Sequence, residues 1–431
     1  MLATLRQHNF ALLWFGGLIS LTGDWMLFIA LPIYVYTLTG STLATSAMFV
    51  AEMIPNLLLG SVAGVFVDRW DRKRTMVIAN LLLALGLLPL FAVRSAEWLW
   101  LAYLVGFVES AIVQFFKPAE SALLPQLVAE EHLVAANSLN ALNSNLARLV
   151  GPALGGIVAG LLGLPGVVFL DAGSFLITGI MIALIGGVPT RASAAMPRSP
   201  GAPATAWVAI WREWLAGLRL VRSERPVLIV FAMLAITALG EGVMGVLFVV
   251  FVNKVLGGGA LEIGWLMSAQ AVGGLIGGVI VGFASKQLSP ARLIGLSAIV
   301  FGLIDLAIFN YPAFIPGIAL GLILFVVVGV PGVGFMSGVN TLLQTAVVDQ
   351  YRGRVFGALG TTQALLMLIG TLAAGMLGDR LGVVTMLNIQ GGGYVLAGCA
   401  ALILLPGAAT WATRIRQQEA QPSKNMNEFV S

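Results

Sequence analysis

Six carboxylates, Asp24, Glu52, Glu109, Asp171, Glu241 and Asp305, sit inside runs otherwise built from Leu, Val, Ile, Phe, Gly and Ala. A charge in hydrocarbon costs at least about 2.5 kcal/mol on insertion scales, so such an acid faces a cavity, finds a partner or carries a proton. Asp24 and Glu241 fall near the middle of their runs. Gly17, Ser20 and Asp24 are spaced by three and four and Thr237, Glu241 and Gly245 by four and four, which places each acid on a small or polar helix face suited to a cavity. The plainer alternative is an acid that stays protonated and bonded to nearby backbone. Glu52 and Glu109 are further mid-span candidates. Arg148 comes at a depth similar to Glu109 in the next run, so these two could instead form a buried ion pair, which fixes structure more than it stabilises. Asp171 and Asp305 lie nearer one surface and are read as solvated or structural.

A second cluster is of another kind. GVFVDRWDRKR places Asp68, Arg69, Asp71, Arg72, Lys73 and Arg74 within seven residues between two long apolar runs. It cannot sit in hydrocarbon and marks a turn between two spans. Other chemistry is missing. Cys399 is the single cysteine, and His8 and His132 are far apart, so no metal site is expected. There is no phosphate-binding G-x-x-x-x-G-K-[ST] loop and no H-E-x-x-H. No catalytic residue and no cofactor are expected, and the chain is read as neither an enzyme nor an ATP-driven pump.

The elements that must position these residues are membrane helices. The chain of 431 residues is 59% hydrophobic and 10% charged, against about a quarter charged in soluble domains. Apolar runs of about 20 residues, enough to cross a bilayer, are expected at 10–38, 43–67, 75–93, 98–118, 137–162, 166–188, 226–252, 262–284, 291–310, 314–345, 354–378 and 383–405. The first run is too long for a signal-peptide core and reads as a retained helix. With the N-terminus inside, the inner loops and tails carry eighteen Lys and Arg and the outer loops only Arg94, Lys254 and Arg380. That bias places both termini in the cytoplasm. It also explains the net charge of +4 without nucleic acid.

The expected organisation is a six-helix half (1–188), a linker (189–225), a second six-helix half (226–405) and a tail (406–431). The linker opens with a Pro, Ala and Ser-rich stretch and continues as an amphipathic helix with Trp207, Trp211 and Trp214 as interface anchors. A shift of about 219 residues lays 122–139 over 341–359 and Gly151 and Gly156 over Gly370 and Gly375; a shift of 217 lays Gly23-Asp24 over Gly240-Glu241. Two parallel repeats of this kind hold their substrate near mid-membrane between the halves. RLVGPALGG, with Gly151, Pro152, Gly155 and Gly156, and the glycines from Gly273 to Gly282 read as close-packing faces.

These motifs converge on a resemblance. Gly64, Asp68, Arg69, Arg72 and Lys73 fill the G-x-x-x-D-R-x-x-R-[KR] loop pattern of the major facilitator superfamily (MFS). RLVGPALGG resembles its antiporter-associated fifth-helix motif. HNFALLWFGGLISLTGDWM, FFKPAESALLPQLVAEEHLVAANSLN and RGRVFG resemble its twelve-helix drug:proton antiporter branch, with macrolide-efflux and enterobactin-export proteins. The resemblance implies an all-α polytopic membrane protein of twelve helices in two pseudo-symmetric halves, in a bacterial-type inner membrane. It implies proton-coupled export of a hydrophobic drug, macrolide or siderophore by alternating access, by a monomer. It also implies that Asp68 latches to the start of the eleventh helix near Arg354, while Arg69, Arg72 and Lys73 meet acidic partners or lipid headgroups; a topological turn alone is the simpler account. The second-half counterpart, GFASKQLSPAR, has Lys286 in place of the Asp. Trp25, Phe28, Tyr34, Phe248 and Phe251 are candidate apolar contacts. The alternatives are a lipid or lysolipid flippase on the same fold and a non-transporting receptor or scaffold.

Overall fold

Backbone in hydrocarbon finds no water, so each apolar run must satisfy its own N–H and C=O groups as a helix. The computed structural model describes residues 2–60, 63–187, 225–347 and 349–405, with 212, 214, 215, 217–219, 221 and 222 between them. Most of the linker, including Trp207 and Trp211, and the whole tail lie outside the described residues. The membrane helices of the first half begin with α1 (His8–Thr39), α2 (Thr42–Leu59), α3 (Arg72–Leu87) and α4 (Leu99–Leu127). A single run, Leu133–Ala183, completes that half. Those of the second are α7 (Arg225–Lys254), α8 (Ala260–Ala284), α9 (Pro290–Asn310), α10 (Ala319–Ala346), α11 (Asp349–Leu381) and α12 (Val383–Leu404).

The run Leu133–Ala183 has 51 residues. Straight, it would be roughly 75 Å long at 1.5 Å per residue, more than twice the roughly 30 Å hydrocarbon core. It folds back instead at Gly163, where φ is 67° and ψ −170°, a conformation open to glycine. Residues 133–162 are α5 and 164–183 are α6. Eleven described helices are long and apolar enough to cross a membrane; with this one counted as a hairpin, the fold has twelve crossings.

Two boundaries differ most from the sequence expectation. α4 continues to Leu127 rather than ending near 118, with Pro118 and Pro125 inside it; neighbouring helices let membrane helices tolerate proline. The expected 43–67 span stops at Leu59 and is followed by a separate short helix, Ala63–Val67.

The two halves use one packing plan. α1 lies along α5, where Gly151 meets Trp25 and Gly155 meets Met26; in the second half α7 lies along α11, where Gly370 meets the Leu239 backbone. α2 packs on α4 and α8 on α10, the latter through Gly273, Gly277 and Gly329. α3 begins at an Asp71 cap, its carboxylate accepting from the Arg74 N–H at 2.7 Å, and α9 begins at a Ser289 cap for the Arg292 N–H.

Between the halves, α2 packs on α11 and α5 on α8. The bonds there lie at mid-span or toward the end opposite the Arg69–Arg74 loop. Thr42 donates to Asp379 at 2.8 Å, Ser46 to the Thr371 carbonyl at 2.7 Å, and Ser268 to the Leu149 carbonyl at 2.7 Å. Gly156 and Gly264 let the α5 and α8 backbones touch, since a Cβ on either would meet a carbonyl of the other helix. Lys254 joins the same end, 3.6 Å from Asp379 and over the Tyr36 ring. The bundle is therefore closed at the end away from the basic loop.

Candidate functional site

The helix positions that face the partner half enclose a cavity of about 520 Å³ at mid-span. Its wall is mostly apolar: Trp25 and Phe28 from α1, Phe49 from α2, Phe248 from α7, and Phe301, Phe325 and Phe335 from α9 and α10, with Met244, Met267, Met336 and Met367. Methionines make such a wall adaptable to different shapes. Tyr34 and Phe251, expected as contacts, take other places. Tyr34 donates to the Val93 carbonyl at 2.7 Å, and Phe251 is fully buried against Phe309.

Four polar groups set the chemistry of the second-half wall. Glu241 lines the cavity and is exposed to it; Tyr394 of α12 donates to its Oε1 at 2.5 Å. Asp305 of α9, 4% exposed, accepts from Gln390 Nε2 of α12 at 3.0 Å. Gln390 and Tyr394 are four residues apart, one turn of α12, so a single helix face supplies a neutral donor to each acid. Gly240 admits Gln390, whose Cγ would lie 2.6 Å from a Cβ there. Opposite them, Arg148 of α5 is exposed to the same cavity.

The first-half acids are arranged otherwise. Glu109 lies within electrostatic reach of Asp171, Asp24 and Glu52, drawn from four different helices. Asp171 is wholly buried; Ser174 donates to its Oδ1 at 3.2 Å, and its Oδ2 has no hydrogen-bond partner among the described residues. Asp24 lies outside the cavity lining, and its Oδ1 is likewise buried without a partner. Lys117 of α4, exposed, is the cation within electrostatic reach of Asp24. Among the described residues no group of three or more His, Cys, Asp and Glu is arranged to hold a metal ion.

The alternatives left open by the sequence narrow. The Glu109–Arg148 ion pair is not formed: Arg148 turns to the cavity while Glu109 faces the other acids. Asp171 and Asp305 are not solvated but among the most buried polar groups, at 0% and 4% exposure. Lys117, at the very end of the expected 98–118 span, was overlooked; with α4 running to Leu127 it lies well inside the helix.

At the basic loop, Asp68 is exposed and its side chain makes no hydrogen bond or ion pair among the described residues, so the contact with α11 is absent in this arrangement. The working parts are Asp71, which caps α3, and Lys73, which donates to the Ile185 carbonyl at 2.6 Å beyond α6. A cation there complements the negative end of a helix. Trp70 stacks on Phe115 of α4 at 5.8 Å.

Comparison with known proteins agrees with this architecture. The sequence profile of the Major Facilitator Superfamily matches residues 13–371. Macrolide efflux protein A of Streptococcus pyogenes is 27% identical over 383 residues, 87% of this chain and 90% of that protein. The multidrug efflux pump Tap of Mycolicibacterium fortuitum is 28% identical over 398 residues, 88% of this chain and 91% of that protein. The MFS-type transporter YfiS of Bacillus subtilis, itself uncharacterized, is 27% identical over 399 residues, 89% and 90% of the two chains. Among solved structures, a bacterial homologue of the iron transporter ferroportin in an inward-facing state superposes with a TM-score of 0.71 at 18% identity, covering 94% of this chain and 99% of that one. The match spans both halves, and with the twelve crossings and the shared packing plan it places the chain in the major facilitator superfamily.

Proposed function

We propose that this transporter is a proton-coupled exporter of hydrophobic small molecules, of the kind its relatives' names describe as macrolides and drugs. The observation that carries the reading is the mid-span cavity, closed at one end, with an aromatic and methionine wall and Glu241 and Arg148 exposed inside it. The basic loop faces the cytoplasm by the positive-inside bias, and so do both termini. The arrangement is then inward-open, and cargo enters from the cytoplasm or the inner leaflet. Protons taken up on the outside by Glu241, with Asp24, Glu109 and Glu52, neutralise acids that are costly to enclose charged. Release inside restores the charge that receives the next cargo. The chain works as a monomer in this scheme, with lipid headgroups meeting Arg69 and Arg72.

The test is uptake of lipophilic dyes, macrolides and siderophores into inverted membrane vesicles under a proton gradient. Uptake in the wild type should collapse with an uncoupler and fall at least tenfold in Glu241→Gln, with a separate loss in Asp24→Asn. Gradient-independent movement, or lipid transfer with the acids dispensable, would replace this reading with lipid flipping.

A further inference from the structure

Glu241 is the acid of α7 that both lines the cavity and is exposed to it, and one of its oxygens is already committed to Tyr394. Tyr394 has little freedom to move away. It is 3% exposed, with the Phe301 ring 4.5 Å and the Phe335 ring 5.8 Å from its own. A phenol bonds a carboxylate more strongly than a neutral acid, so this contact changes strength each time Glu241 gains or loses a proton.

We propose that Tyr394 is a positioning residue for exchange at Glu241. Its hydroxyl holds Oε1 and presents Oε2 to the cavity, so that a proton and a cationic group on the cargo take turns at one oxygen. The phenol keeps its own proton throughout; the proton that binds Oε2 comes from the cavity and returns to it. The inference rests on the transport reading and names the residue that makes the two ligands exclusive. The charged and titratable groups around Glu241 are Tyr394 from α12, Asp305 from α9 and Arg148 from α5; from α8, α10 and α11 the lining groups include Gln270, Phe325 and Met367, which carry no charge. The repeat supplies a control within the molecule. The shift of 219 that lays Gly151 on Gly370 lays Phe175 on Tyr394, and phenylalanine has no hydroxyl for Asp24.

The experiment uses the full chain in lipid nanodiscs and ethidium as a lipophilic cationic probe, with affinity measured from pH 5 to 9. Wild type should bind more weakly as pH falls and Glu241 is neutralised. Tyr394→Phe, with folding checked by thermal unfolding, should move the midpoint of that curve to higher pH by about one unit, the size expected for one hydrogen bond to a charge. In a Glu241→Gln background the same substitution should change affinity less than about twofold at any pH, because the charged partner is gone. An unmoved midpoint, or an equal effect in the Glu241→Gln background, overturns the proposal. Infrared titration of wild type and Glu241→Gln gives a second reading that needs no cargo and no Tyr394 variant. A tyrosine C–O band must shift together with the carboxyl band that Glu241→Gln removes, and a tyrosine band indifferent to that substitution overturns it as well. Failure of wild type to bind or move any cation counts against transport, and the infrared result then judges Tyr394 alone.

Discussion

Asp24 and Glu241 hold matching places in the two halves, each directly after a glycine that faces the last helix of its own half. Gly23 faces Asp171 and Ser174 of α6, and Gly240 faces Gln390 of α12. Yet Glu241 has a phenol donor and its neighbour Asp305 an amide donor, whereas Asp24 and Asp171 each keep a buried oxygen without a partner among the described residues. Two side chains make the difference: Asp171 stands where the second half has Gln390, and Phe175 where it has Tyr394. A duplicated scaffold thus fixes where an acid sits, while the partner it finds is set by what one turn of a neighbouring helix can donate. The second half gives each of its two acids a neutral donor. In the first half the buried oxygens of Asp24 and Asp171 have no such donor among the described residues.

The contrast can be broken most severely at its shared frame. A Cβ on residue 23 would overlap the buried Asp171 carboxylate, so Gly23→Val should destabilise by roughly 3 kcal/mol, the upper end for overpacking, with a clear loss of melting temperature in detergent. Gly240→Ala should lose less, because the atom it meets belongs to the movable Gln390 chain. Removing a donor comes next. Gln390→Leu strands Asp305 in a site with 4% exposure and should cost about 2 kcal/mol, read as a lower melting temperature that Asp305→Asn restores in part. Giving the first half a donor should work in the opposite sense. Asp171→Asn resembles Gln390 and should raise stability by about 1 kcal/mol, at the expense of any proton carried there, so uptake in inverted vesicles should fall as melting temperature rises. The smallest change is Phe175→Tyr, which adds only the hydroxyl that separates the two halves. It should leave the melting temperature within a few degrees and alter the pH dependence of dye uptake; an unchanged profile would show that the repeat does not bring residue 175 to Asp24.

Much of this frame was legible in the sequence because its cause is local. Apolar length and loop charge give the number of spans, and the nearly constant offset between Gly151 and Gly370 or Gly23 and Gly240 gives the repeat. Glycine against backbone is a demand a single residue type can meet, so it leaves a readable mark. The site was less legible because its partners are joined only by packing. Glu241 and Tyr394 are 153 residues apart in sequence, and nothing at either position announces the other. Asp305 looked peripheral by its distance from the helix end, but depth along a helix says nothing of whether it faces lipid, water or another helix. Arg148 and Glu109 match in depth and differ in azimuth, which spacing within one helix cannot relate to spacing within another. Lys117 was missed at a helix boundary, where a proline two residues short of an acid, FFKPAE, looks like an ending and is passed over by a helix that continues to Leu127.

Gly163 carries one more consequence. Because α5 and α6 meet at a reversal with hardly any loop, the length of the chain between them is a timing gear for rotation. One inserted residue would turn α6 by about 100° about its own axis, swinging Asp171 and Phe175 away from α1 while leaving the hydropathy of the span untouched. The count of residues at the tip of this hairpin is therefore fixed by the packing on either side of it, and a silent-looking insertion there would disengage the first half's acids in a single step.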